Sequence, residues 1–228
     1  MALRSILILL LFSTSLLAQS IQPVIVEYTG KADGKVALTN NSLSPMVVVL
    51  EPKSFSITPE GKGIFRTLDS DIHVELSSMS VRLQPKQTYY VFYKATADKL
   101  PAWFTLYATF SSPQHTNGLD VRMMLPHTVY LYQKQPIAEN DVQVKDLSYN
   151  PEMRRLTCEI ENDSTALARV QNVRATGDGA SGDASGFPLL PGASRHIEMS
   201  WKDSLPPKEI VFRFKRFSLK RSVPAIAN

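Results

Sequence analysis

An all-β chain of two sandwich domains is what this sequence predicts, on three observations. Short segments alternate apolar and polar residues between clusters of Gly, Pro, Asn and Ser, and none carries the 3.6-residue period of an amphipathic helix. Leu119–Tyr132, reading LDVRMMLPHTVYLY, alternates for so long that only a strand fits: six of its seven odd positions are apolar, and His127 alone interrupts them. A polar break at Gln133–Asp141, stiffened by Pro136, precedes a fresh run of strand patterns from Val142. The roughly 200 residues beyond a leader are enough for two immunoglobulin-like sandwiches of about 100 residues each.

Residues 1–20 read as a signal peptide, with Arg4 in a short basic start, an apolar run from Ile6 to Phe12 and the small-residue end Ala18-Gln19-Ser20. The mature chain is expected to begin near Ile21. The apolar run falls short of the roughly 20 residues that span a bilayer, so the product is expected to be exported and not membrane-spanning. Gln22–Tyr28 reads as the first strand, Lys31-Ala-Asp-Gly34 as a turn and Lys35–Asn40 as the second strand. Asn40–Pro45 breaks the chain before Met46–Lys53. Ser78–Leu83 and Thr88–Lys94 follow around the turn Gln84–Gln87, and Lys99-Leu-Pro101 precedes Trp103–Ser111. Leu119–Tyr132 closes a first domain over residues 21–135, with 136–141 as linker and 142–228 as a second sandwich. In that second domain Leu156–Glu161, Ala166–Arg174, Ser194–Trp201 and Lys208–Leu219 are strand-like, and Gly177–Gly186 reads as a flexible loop.

Composition argues against several kinds of chemistry. One cysteine permits no internal disulfide, and Cys158 shares a strand face with Leu156 and Ile160, which places it in a core. The net charge of +4 is concentrated near the C-terminus, where Leu205–Asn228 holds six Lys or Arg against Glu209 alone. With no nucleic-acid motif beside it, this basic stretch reads as a solvated strand face and not as a nucleic-acid site. His73, His115, His127 and His196 are too scattered for a metal site. Gly177-Asp-Gly-Ala-Ser-Gly182 matches a phosphate-binding GxGxxG, but no helix pattern follows it, and Asp178 and Asp183 would repel an anion. Asn40-Asn-Ser42 and Asn162-Asp-Ser164 fit the glycosylation acceptor pattern, which arises often by chance. The expectation is therefore no catalysis and no cofactor.

In their order, Val36-Ala-Leu-Thr-Asn-Asn41, Val81-Arg-Leu-Gln-Pro-Lys-Gln-Thr88, Ala102-Trp-Phe-Thr-Leu-Tyr107, the long alternating Leu119–Tyr132 and the later Phe187-Pro-Leu-Leu-Pro-Gly192 carry a resemblance. The chain resembles the PapD-like periplasmic chaperones of pilus and fimbrial assembly. That resemblance implies a periplasmic chaperone with pilin-like subunits as partners and an outer-membrane usher as the recipient of its cargo. It also implies donor-strand complementation, in which the chaperone lends its last first-domain strand to a subunit that lacks one. By register, the donor side chains are Val121, Met123 and Leu125, while Val129 and Leu131 belong to the chaperone's own core.

Two positions depart from that family's pattern. Its members grip the subunit's terminal carboxylate with a basic residue in the first strand and a lysine late in the donor strand. Here Ile25 and Tyr130 stand at those places. Arg122, His127 and Lys134 are the candidate substitutes. A reading from another class is an extracellular structural or adhesive module whose edge strand pairs with copies of itself, since a long apolar edge strand associates unless covered.

Overall fold

The computed structural model describes residues 19–112 and 122–224. All but the last two residues of the expected leader, and Leu119–Val121 of the alternating run, lie outside the described residues. Among the described residues ten strands precede the polar break: β1 (Ser20–Gln22), β2 (Ile25–Thr29), β3 (Ala32–Thr39), β4 (Met46–Ile57), β5 (Gly63–Thr67), β6 (Ile72–Leu76), β7 (Ser80–Leu83), β8 (Thr88–Ala97), β9 (Ala102–Ser111) and β10 (Arg122–Tyr132). One sheet runs β1-β3-β8-β6, and its partner runs β2-β10-β9-β4-β5 with β7 beside β4. Inward residues of both sheets, among them Val36, Leu38, Val91, Phe104, Leu106, Phe110, Val129 and Leu131, form one buried core.

After a single 3-10 turn at Glu139–Asp141 come β11 (Val142–Asn150), β12 (Arg155–Asn162), β13 (Ala168–Thr176), β14 (Ser181–Leu189), β15 (Ser194–Ser200), β16 (Glu209–Arg213) and β17 (Ser218–Ser222). They form a β11-β12-β15 sheet against a β14-β13-β16-β17 sheet. Leu156, Ile160, Val170, Val173, Trp201 and Phe212 fill the space between, with Cys158 among them. Burial pushes the Cys158 thiol up to about 12, which keeps it protonated and unreactive. The architecture is all-β, and among the described residues no helix is long and apolar enough to cross a membrane.

Several local expectations are corrected. The first strand is two strands: β1 pairs with β3, and after Pro23-Val24 the chain crosses to the other sheet, where β2 lies parallel to β10. Proline has no N–H to give to either ladder, so the crossing falls where a ladder bond would be absent anyway. Gly34 belongs to β3 and not to a turn. A Cβ there would stand 2.3 Å from the Tyr28 hydroxyl and 2.8 Å from that of Tyr93, so glycine makes room for two tyrosines. Most of Gly177–Gly186 is strand β14, and Lys208–Leu219 is two strands joined at Phe214–Phe217.

The two acceptor-like asparagines are structural. Asn40 follows β3 and Asn162 ends β12, and both are 0% exposed, so neither side chain is open to glycosylation. Asn40 Nδ2 donates to Ser44 O and Gln84 O, and its Oδ1 accepts from the N–H and hydroxyl of Ser42. Asn162 repeats the device: Nδ2 faces the carbonyls of Ala166, Leu189 and Leu190 at 2.7–3.3 Å, and Oδ1 accepts from the N–H and hydroxyl of Ser164. Each amide binds carbonyls of separate chain segments at the end of a strand and so fixes the turn that follows. The triplet thus marks the same corner in both sandwiches.

Between the sandwiches Phe55 and Tyr130 of the first meet Leu167 and Leu190 of the second in a small buried cluster. Gln133 fastens the junction. Its Nε2 donates to Leu167 O at 3.2 Å while its Oε1 accepts from Leu167 N at 3.1 Å, so the side-chain amide imitates a neighbouring strand. On the far side of the interface His196 N donates to Pro59 O at 2.8 Å.

Candidate functional site

β10 has two unequal halves. Over all but its last residue it pairs antiparallel with β9, from Arg122↔Ser111 to Leu131↔Ala102. On its other edge β2 covers only Thr128–Tyr132. No other described strand lies beside that edge over Arg122–His127. The run is thus anchored at one end and left open at the other, and Pro126 falls in the open half. Among the five odd positions from 123 to 131, His127, Val129 and Leu131 are 0% exposed, while Met123 and Leu125 are half-buried at the margin of the first-domain core. Val121 lies outside the described residues. Met124, on the opposite face, is 64% exposed.

His127 is not a carboxylate anchor. It is wholly buried, and both ring nitrogens are engaged: Nδ1–H donates to Pro23 O at 2.5 Å, since a carbonyl only accepts, and Nε2 accepts from the Tyr93 hydroxyl at 3.0 Å. The Tyr28 hydroxyl completes the chain, 3.1 Å from that of Tyr93. This network ties β10 to the β1–β2 crossing and to β8, directly beneath the point where the open edge begins. Burial holds the imidazole pKa below its ordinary value, more than the Pro23 contact raises it. The unfolded chain takes up a proton near pH 6.5, about the free histidine value, whereas the folded chain resists it to lower pH. Stability is therefore greatest above that pH and declines as the solution is acidified through and below it. Melts at pH 7.5 and pH 5 should give a lower midpoint at pH 5, with a smaller fall in His127→Gln. An equal fall in both chains would place the titration elsewhere.

The other basic candidates occupy different ground. Arg122 is exposed at the start of the open half. Lys134 is exposed just past β10 and lines a cavity of about 230 Å³ between the sandwiches, together with Arg169, Lys215, Arg216 and a single acid, Glu27. Arg169 Nε stands 3.5 Å from Glu27 Oε1, and Arg169 Nη1 is enclosed without an acceptor among the described residues. Ile25 is 42% exposed beside Thr128, and Tyr130 is 3% exposed in the interdomain cluster, its phenol pushed up to about 12 by burial. Neither can supply positive charge. Sequence reasoning missed Arg169 and the clasp role of Gln133. Nothing near Arg169 in the chain announces that it faces Glu27, some 140 residues earlier.

No protein-family model matches the chain, and no curated protein matches it in sequence. Solved structures do match it. The class 5 fimbriae chaperone CfaA superposes with a TM-score of 0.55 at 13% identity, over 92% of this chain and 100% of its own. The YadV chaperone gives 0.57 at 9%, over 90% and 100%. The structure of the Salmonella enterica SafA pilin in complex with the SafB chaperone gives 0.58 at 12%, over 92% and 99%. This chain has the fold of the fimbrial chaperones. At such identities it is the fold that is shared, and the match extends over both sandwiches. Within the fimbrial-chaperone fold of this chain, β10 closes the first sandwich and leads directly into the junction that Gln133 fastens.

Proposed function

We propose that this protein is a periplasmic chaperone that holds pilin-like subunits by lending them the open half of β10, with residues 21–135 as the subunit-handling domain. The observation that carries the reading is the outer edge of Met123–His127, beside which no described strand lies, with Met123 and Leu125 half-buried on the inward face. A subunit strand laid along that edge gains backbone hydrogen bonds, and the outward-reaching parts of Met123 and Leu125 enter its groove. Val121 would extend the row. Full burial contributes on the order of 1.5–3 kcal/mol per large apolar side chain before ordering costs. Three neighbours solved with a pilin or a tip adhesin in complex support this role. Delivery to an outer-membrane usher belongs to the same proposal.

Of the three substitute anchors, Lys134 is the one in a cationic setting, and we assign it the role of facing the subunit's terminal carboxylate. Co-expression with pilin-like chains encoded nearby tests the whole reading. A one-to-one complex is expected, with amide exchange at Met124 slowed on binding. Lys134→Gln should weaken capture by about fivefold at low salt and less at high salt, the behaviour of a rim charge. Assembly of this chain with itself and with no subunit would favour the adhesive-module reading instead.

A further inference from the structure

Pro126 lies within the open stretch, and its backbone faces the open side. Thr128 donates its N–H to Val24 O at 2.7 Å across that edge. Successive residues of a strand turn their peptide groups to opposite edges, so Pro126 and Met124 face the same way as Thr128. Met124 offers the edge a donor and an acceptor, Pro126 offers an acceptor only, and the Thr128 N–H is already taken. The ladder with β9 loses nothing to the proline, because the missing group would have pointed away from it.

We propose that Pro126 selects against a second copy of this chain at the open edge of β10, leaving that edge to a foreign strand. Two copies related by a two-fold axis pair antiparallel through the same segment. Setting Met124 of one copy opposite Pro126 of the other sets Pro126 of the first opposite Met124 of the second. The absent donor then counts twice. A foreign strand in the equivalent register meets it once. One hydrogen bond is worth about fivefold in affinity, so self-pairing is weakened about twenty-five-fold and foreign pairing about fivefold. A proline on an exposed strand edge is a known means of blunting it. Here the two-fold symmetry doubles its effect on one class of partner. That the favoured partner is a fibre subunit rests on the strand-donor reading above; the exclusion of a second copy rests on Pro126 alone.

Sedimentation velocity on the purified full-length exported chain tests the proposal. Pro126→Ala should self-associate about twenty-five-fold more tightly than the unaltered chain, with amide exchange at Met124 slowed in the dimer. Adding Met124→Pro removes the other donor on that edge and should return the monomer. Pro126→Val, with a stronger strand former at the site, serves if the alanine chain does not fold. A variant as monomeric as the unaltered chain, or a dimer that persists with Met124→Pro, overturns the proposal. Failure of the unaltered chain to capture any subunit would instead defeat the strand-donor reading, so the two failures are distinguishable.

Discussion

Replacing Met123 and Leu125 together by Asp is expected to abolish subunit capture while leaving a chain that melts cooperatively. Both side chains sit at the margin of the first-domain core and are half-buried there. In the free protein a carboxylate at either place can turn toward water across the open edge. The loss is then a fraction of a full apolar burial, about 1–2 kcal/mol for each residue, within the 5–15 kcal/mol that holds a domain together. In the complex the same carboxylates would have to enter a dry groove, at several kcal/mol apiece. Capture should fall by about a thousandfold or more. Co-purification with subunit and thermal melts of the free chain read the two quantities separately. Unchanged capture would sink the strand-donor reading. A chain that fails to fold would be replaced by the gentler Met123→Ser, Leu125→Ser pair, for which the same separation is expected.

Asn162→Asp should unfold the second sandwich. The substitution puts a carboxylate oxygen where Nδ2 now meets three carbonyl oxygens, those of Ala166, Leu189 and Leu190. Leu190 O keeps the Ala193 N–H, but the carbonyls of Ala166 and Leu189 lose the amide's donors, at about 1–3 kcal/mol for each buried group left unsatisfied, and a charge is confined beside three carbonyl oxygens. The total, about 4 kcal/mol or more, consumes most of a typical domain's margin. Trp201, 4% exposed in the second core, reports the event by fluorescence. Emission that stays blue, with a melting midpoint within a few degrees of the unaltered chain, would mean that the corner tolerates an acceptor and that the repeated asparagine is incidental.

Much of the fold is legible in the chain because period two survives wherever one strand face is buried and the other wet. β4, β8, β9, β10 and β12 follow from that rule. β5 does not, since most of its residues are exposed and no apolar row marks it. β14 hides behind its glycines. Gly182 and Gly186 look like a loop, yet a Cβ on Gly186 would stand 2.2 Å from Gln171 O, where the β13–β14 register skips Gln171. Glycine is there to let two backbones approach. The site divides in the same way. That His127 breaks an apolar row is visible in the sequence; that it is held by Pro23 and Tyr93 is not, because those partners come from distant parts of the chain and meet only in the folded sandwich. Lys134 and Arg169 are likewise neighbours in the cavity without being neighbours in the chain.

The parallel contact between β2 and β10 also sets an order of events. β9 and β10 are successive strands of an antiparallel pair, whereas Thr128 meets Ile25 only after a loop of about a hundred residues has closed. Contacts of that sequence separation form slowly, and until they form the whole outer edge of β10 is bare instead of half of it. As the nascent chain folds, the protein passes through a stage in which its first sandwich has an unfilled place along β10. β2 then fills that place over Thr128–Tyr132, and no described strand lies beside the rest.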